Sequence, residues 1–257
     1  MLEQWRLDGK VAIVTGGSSG IGRASAIALA QAGARIVVSD VMQEEGEKTV
    51  HLIHSEGGEA EFIGCDVSQA PQVRAMVRQT VEKMGSIDCL FNNAGIEGAR
   101  TSTAACTEDN WDRVMGINLK GVWLCMKYAI PYMKTQGKGS IVNMSSIHGL
   151  SSGMQGYMPY VTSKHGVIGL TRASAAECAR SGIRINAICP GYVQTPMIEN
   201  NLGGSAERFE TWLNAFVPAG RLGTQEEIAN AVVWLCSDAS SFVVGHTLAV
   251  DGGFLAQ

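Results

Sequence analysis

The chain has 257 residues, 20 Lys+Arg against 24 Asp+Glu, a formal net charge of −4 and a hydrophobic fraction of 46%. A chain of that length buries roughly 70% of its unfolded surface, enough for a core that needs no disulfide or metal staple. No Lys/Arg cluster interrupts the mild acidity, which argues against nucleic acid and anionic lipid as partners.

The seven cysteines are odd in number and never in CxxC spacing, so they read as reduced, mostly buried thiols. The amino terminus MLEQWRLDGK lacks the basic, apolar, small-residue order of a signal peptide, which points to the cytoplasm. Gly139 to Ser163 carries no Asp, Glu, Lys or Arg, yet its many Ser, Gly, Asn and Gln residues do not suit a bilayer.

From Lys10 onward short β-branched runs alternate with longer runs of helical period. VAIVT (11–15) predicts a strand, IGRASAIALAQAG (21–33) a helix, RIVVSD (35–40) a second strand and the polar stretch to His54 a second helix. AEFIGCD, QVRAMVRQTVEKMG and IDCLFNNAG continue as strand, helix and strand. Two helical stretches run through Met133, followed by the strand GSIVNMSS, another helix and the strand IRINAICPG. Residues 191–220 loosen into an insertion placed to cover a substrate, before a last helix and the closing strand HTLAVDGG. The six prolines fall singly where elements end, and no linker or repeat interrupts the rhythm. Strands with so few charges need cover on both faces. The expectation is one domain over 1–257, a doubly wound α/β Rossmann fold with a parallel sheet and ligands at the strand carboxyl ends.

Strand one runs directly into Thr15-Gly16-Gly17-Ser18-Ser19-Gly20-Ile21-Gly22, and a helix starts at once. Glycines there let a pyrophosphate approach backbone N–H groups at the positive helix end, although the spacing is not GxGxxG and a plain glycine-rich turn has the same composition. Asp40 ends strand two, where a carboxylate accepts hydrogen bonds from adenosine ribose hydroxyls and repels a 2′-phosphate; otherwise it is an ordinary strand-end cap. With Ser18 and Ser19 in the turn instead of Arg or Lys, NAD is favoured over NADP.

Tyr160 and Lys164 are four apart in a helical stretch and share a face. Either the lysine snorkels beside a surface tyrosine, or the ammonium lowers the phenol pKa and makes a general base. Ser145 and Ser146 end the preceding strand, as caps or as donors to a substrate oxygen.

Taken together, TGGSSGIG, Asp66-Val67, Asn92-Asn93-Ala94-Gly95, Asn118, Ser146, YVTSK and PGYVQTP resemble the short-chain dehydrogenase/reductase family over nearly the whole chain. The resemblance implies Tyr160 as catalytic acid/base, Lys164 as its partner and ribose anchor, Ser146 as donor to the substrate oxygen and Asn118 as holder of a relay water. It implies a cofactor site of Gly16, Ser18, Ser19, Gly20, Ile21 and Asp40 at one end. Asp66 and Val67 would then meet the adenine, Asn93 and Gly95 the adenosine ribose region, and Pro190, Gly191, Val193 and Thr195 the nicotinamide end. Asn92 is expected to be structural. The spacing from Ser146 to Tyr160 is one residue longer than in many members, which raises Ser145 as the alternative; the second serine of NMSS is preferred. The implied activity is NAD-linked interconversion of a secondary alcohol and a ketone, with an NADPH-linked 3-oxoacyl carrier-protein or carbonyl reductase and a silent NAD sensor as rivals. The implied assembly is a homotetramer packing through the helices near 121–133 and 160–179.

His148 and Tyr157 border the expected site as candidate substrate contacts. Tyr157, Met197 and Trp212 belong either to a pliable apolar wall or to ordinary loop packing. His51 and His54 have no Cys or carboxylate to complete a metal set, and no metal is expected.

Overall fold

The computed structural model describes residues 3–151, 155–196, 211 and 213–257. In chain order it contains β1 (Val11–Thr15), α1 (Gly20–Gln31), β2 (Arg35–Asp40), α2 (Gln43–Ser55), β3 (Ala60–Gly64), α3 (Ala70–Met84) and β4 (Cys89–Asn92). There follow α4 (Glu108–Met115), a π-helical turn (Gly116–Gly121), α5 (Val122–Gln136), β5 (Gly139–Met144) and α6 (Met158–Cys178). After β6 (Ile183–Pro190) come α7 (Gln225–Cys236) and β7 (Thr247–Val250).

The strands form one seven-stranded parallel sheet in the order β3-β2-β1-β4-β5-β6-β7. Successive side chains of β1 alternate between two cores. Val11 and Ile13 join Val37, Val73, Met76 and Val167 on one face, while Ala12 and Val14 join Ile36, Leu29, Ile53 and Val232 on the other. Both faces are thus sealed by helices, α3, α5 and α6 on the first and α1, α2 and α7 on the second, which is why the strands read as unbroken apolar runs. The chain reverses its winding between β1 and β4, and the crevice left at their carboxyl ends is where an open parallel sheet receives a ligand.

One sequence expectation fails here: Pro131 lies inside α5 instead of at an element end. It sits on the exposed side of the helix, where a carbonyl freed one turn earlier is open to water, and burial of Leu124, Met126 and Met133 on the other side holds the helix together. Insertion residues 197–210 and 212, including Met197 and Trp212, lie outside the described residues. The cysteines are all free thiols and, apart from Cys106, buried. No helix among the described residues is long and apolar enough to cross a membrane.

Candidate active site

A cavity of about 440 Å³ opens at the carboxyl ends of the central strands. Gly16, Ser18, Ser19, Gly20, Ile21, Asp40, Asp66, Val67, Asn93, Gly95, Tyr160, Lys164, Pro190, Gly191, Val193 and Thr195 all line it, as do Ser146 and His148. Asn118 and Tyr157 do not.

The glycine turn is held from below. Gly16 adopts φ +66°, a left-handed conformation that strains any side-chain-bearing residue. The Asn93 Nδ2 donates to the Thr15 and Gly16 carbonyl oxygens at 3.0 and 3.1 Å. A Cβ on Gly22 would stand 2.0 Å from the Gly16 oxygen, so the turn packs directly on the first turn of α1. Ser19 occupies the N-cap of α1 without capping it through its side chain, and the positive helix end faces the cavity. This is a cradle of the size and polarity that a pyrophosphate fits. Asn93 serves this turn as a clamp as well as lining the cavity, while buried Asn92 donates to Asn143 Oδ1 at 2.8 Å within the sheet.

Asp40 enters the cavity from the end of β2. One carboxylate oxygen accepts from the Ser18 hydroxyl at 2.6 Å and the Ser18 N–H at 3.2 Å; the other accepts from Val41 N–H at 2.7 Å. Arg23, one turn into α1, is bound to the Ser18 carbonyl, to Thr49 Oγ1 and to the Glu45 carboxylate. Asp66 turns back to accept from the Ser68 N–H and hydroxyl, which shapes the loop after β3.

Tyr160 and Lys164 stand on one face of α6, with the Lys164 Nζ 5.4 Å from the centre of the phenol ring. Lys164 is only 3% exposed and donates to the Met144 carbonyl at 3.0 Å, which ties the end of β5 to the helix. The two serines separate cleanly. The Ser145 hydroxyl donates to the Lys164 carbonyl at 2.9 Å and is spent on structure. The Ser146 Oγ accepts from the His148 N–H at 3.1 Å and bonds to the Tyr160 side chain.

Burial governs the titration of this pair. It pushes the Tyr160 phenol up to about 12, opposed by the hydrogen bond with Ser146 and reinforced by the charge of Glu97. It pushes the Lys164 ammonium down to about 8. Among the chain's own groups desolvation outweighs the hydrogen bond with Ser146, so the phenol stays protonated near neutral pH.

Asn118 sits in the π-helical turn, 1% exposed. Its Oδ1 accepts from Ile96 N–H at 2.9 Å, and its Nδ2 donates to the Ile96 carbonyl at 2.8 Å and to Ser163 Oγ at 3.2 Å. The side chain is a clamp on the loop after β4, not a lining group. Tyr157, expected beside the substrate, instead precedes α6 as its N-cap, half-buried, with its carbonyl accepting from Val161 N–H.

Tyr192 and Glu97 are among the cavity residues that sequence reasoning overlooked. Tyr192 follows the Pro190-Gly191 turn and makes edge contacts with His148 (centroids 6.2 Å apart) and Phe254 (5.6 Å), linking the carboxyl-terminal segment to the site. Glu97 lies two residues past Gly95, and a carboxylate so soon after the strand end was the available signal.

The family model described as Enoyl-(Acyl carrier protein) reductase matches residues 16–255. Among curated relatives, a 2,5-dichloro-2,5-cyclohexadiene-1,4-diol dehydrogenase of Sphingobium indicum is 45% identical over 97% of this chain and 98% of its own length. The crystal structure of levodione reductase superposes with a TM-score of 0.94 at 40% identity, covering 98% of this chain and 99% of that one. A gluconate 5-dehydrogenase from Burkholderia cenocepacia, solved with NADP and tartrate, gives a TM-score of 0.94 at 37% identity, covering 100% of this chain and 99% of that one. With end-to-end likeness to dehydrogenases and reductases in both sequence and backbone, the chain belongs to the short-chain dehydrogenase/reductase family of alcohol/ketone oxidoreductases.

Proposed function

We propose that the protein is an NAD-dependent dehydrogenase of cyclic secondary alcohols, with Tyr160 as general acid/base. The observation that carries this reading is the joint placement of the Ser146, Tyr160 and Lys164 side chains in one cavity with the glycine turn and Asp40. The nicotinamide, when bound, supplies the site that accepts or returns the hydride. The chain's own groups do the rest. Ser146 holds the substrate oxygen through its hydroxyl, oriented by the bond it accepts from His148 N–H. Tyr160 takes the alcohol proton in oxidation and returns it in reduction, and Lys164 opposes the cost of the phenolate and reaches the cofactor ribose. A bound cofactor excludes water from the cavity and so strengthens these polar contacts.

The glycine turn and the uncapped first turn of α1 would hold the pyrophosphate, with Asp66 and Val67 at the adenine and Pro190, Gly191, Val193 and Thr195 at the nicotinamide end. Asp40 supports NAD over NADP, because a 2′-phosphate beside it would meet a carboxylate while Arg23 is bound to Glu45. The relay role implied for Asn118 falls to its backbone carbonyl in the π-helical turn, since its side chain is bonded to Ile96 and Ser163. The ring substrates named for the relatives support a cyclic alcohol here.

We read 1–257 as one unit in which residues 191–220 cover the substrate, and place the enzyme in the cytoplasm as a homotetramer. Trp123 and Tyr132 on the exposed face of α5 support packing through that helix. On α6, Ser163 and Gly166 face inward, against Asn118 and Leu119, whereas Gly169 has open space beside it.

A panel of cyclic and acyclic alcohols and ketones with both cofactors, followed by nicotinamide absorbance, tests the reading. The expected result is NADH formation from ring alcohols. Preference for NADPH and thioester-borne 3-ketones would favour the 3-oxoacyl reductase rival, and no turnover with any substrate the cofactor-sensing one.

A further inference from the structure

The hydride chemistry uses the backbone of His148, whose N–H donates to Ser146 Oγ, but not its imidazole. His148 lines the cavity from a tight helical turn, Ile147–Gly149, in the loop after β5. The turn is firmly held. Gly149 N–H donates to the Ser146 carbonyl at 2.8 Å, and Leu150 N–H to the Ile147 carbonyl at 3.0 Å. A Cβ on Gly149 would stand 2.3 Å from Ser145 Oγ and 2.8 Å from the Lys164 carbonyl oxygen, so the turn lies directly against α6. The Tyr192 ring meets the imidazole edge-on, 6.2 Å between centroids and 81° between planes, which restricts its rotation. An imidazole seated in this way is preorganised.

The two ring nitrogens differ. His148 is only 5% exposed, and its Nδ1 is buried without a hydrogen-bond partner among the described residues. Burial lowers the pKa of the ring, so it is neutral near pH 7 and carries its proton on one nitrogen only. A proton on Nδ1 would be a sealed donor without an acceptor, and an orphaned N–H is rarer in folded proteins than an under-used acceptor. The proton therefore belongs on Nε2, and the imidazole is an uncharged donor through that atom.

We propose that His148 is a specificity-determining residue: its Nε2–H donates to a second oxygen of the substrate, on the carbon beside the carbinol, so that the site selects cyclic vicinal diols over simple cyclic alcohols. The position of that oxygen follows from the turn. The backbone N–H of His148 holds the serine that holds the reacting oxygen, and the imidazole leaves the same residue, so the two oxygens are read within one side-chain length. A substrate oxygen gives the donor its acceptor, whereas a methylene at the same place leaves it unpaired once cofactor and substrate have displaced water. A site built around a hydrogen-bonding group rejects the analogue that lacks the matching one. This inference rests on the alcohol dehydrogenase reading and sharpens its substrate class.

The test compares kcat/KM for cyclohexane-1,2-diol, taking the better isomer, and for cyclohexanol, in the wild type, His148→Gln and His148→Asn at saturating cofactor. The amide nitrogen of Gln stands where His carries Nε2, and that of Asn where His carries Nδ1. The pair thus separates the two nitrogens, and both variants keep the backbone N–H that serves Ser146. In the wild type the diol is the better substrate. In His148→Asn the diol-to-cyclohexanol ratio falls about tenfold, the size of one hydrogen bond lost in a water-excluded site, while in His148→Gln most of the ratio survives. A merely structural role would lower both substrates together and spare the ratio. An unchanged ratio in folded His148→Asn, or an equal loss in both variants, overturns the inference while leaving the dehydrogenase reading intact. If the variants do not fold, a wild-type preference for cyclohexanol overturns it. Failure to reduce NAD or NADP with either alcohol overturns the dehydrogenase reading itself, and this inference with it.

Discussion

Lys164 stands one helical turn beyond Tyr160, its Nζ 5.4 Å from the phenol ring, and is anchored to the Met144 carbonyl instead of being drawn out to solvent. The amine is thus a fixture of the cavity floor, joining the end of β5 to α6. Burial sets the ionisation of both groups in opposite senses, the phenol toward 12 and the ammonium toward 8. Without cofactor, the site is therefore poised as an acid and not as a base.

Replacing Tyr160 by Phe removes the hydroxyl while keeping the ring that packs beside Lys164. Turnover is expected to fall about 100- to 10,000-fold, the range of a lost general acid/base. NADH binding, followed by nicotinamide fluorescence, changes little. Activity within threefold of wild type, written as about half a log unit of rate, would remove the phenol from the mechanism.

The buried lysine makes a pH prediction whose sign follows from its depressed pKa. Unfolded, Lys164 holds its proton up to about 10.5; folded, it releases it near 8. Between those values the unfolded state binds more protons, so this residue's contribution to stability improves as pH rises through that window and is least favourable, and constant, below it. The shift corresponds to about 3 kcal/mol. Denaturant unfolding of wild type and Lys164→Met at pH 8 and pH 10 should show the wild type gaining on the variant. The raised Tyr160 phenol acts the other way: its contribution to stability is fully present below pH 10 and is lost as pH rises from there to the folded pKa near 12, because over that range the folded state keeps a proton that the unfolded state has lost.

Asp40→Ser addresses cofactor choice. The substitution removes the carboxylate that accepts from Ser18 and would oppose a 2′-phosphate. The ratio of NAD to NADP affinity is expected to drop about tenfold or more, in line with loss of a charged hydrogen-bond acceptor. Side-by-side titrations with NADH and NADPH measure it. Tighter NADPH binding by the wild type itself would reverse the assignment.

Gly22→Ala places a methyl group 2.0 Å from the Gly16 carbonyl oxygen, with Asn93 Nδ2 only 2.6 Å away. The turn must lift off α1 to admit it. The cost is about 1–3 kcal/mol of stability from overpacking, accompanied by weakened cofactor binding. Thermal melts with and without NAD separate the two effects, because a disrupted cradle reduces the shift that the cofactor produces.

Alternation and composition alone determined the fold class: strands such as VAIVT and RIVVSD carry no polar face, so they had to be sandwiched between helices, and helices of regular period stood between them in the sequence. Spacing alone also determined that Tyr160 and Lys164 share a face, and the position of Asp40 at a strand end brought it to the glycine turn. What only the tertiary structure decided were properties set by partners distant in sequence. Ser145 and Ser146 are chemically identical neighbours until α6 meets them, the Lys164 carbonyl taking the Ser145 hydroxyl and the Tyr160 side chain bonding to Ser146. Asn118 reads as a site residue, yet its amide is consumed by Ile96, which no local pattern specifies. The direction of the Tyr160 pKa was likewise hidden, because desolvation depends on how much water the packed chain excludes, and a sequence carries charge but not burial.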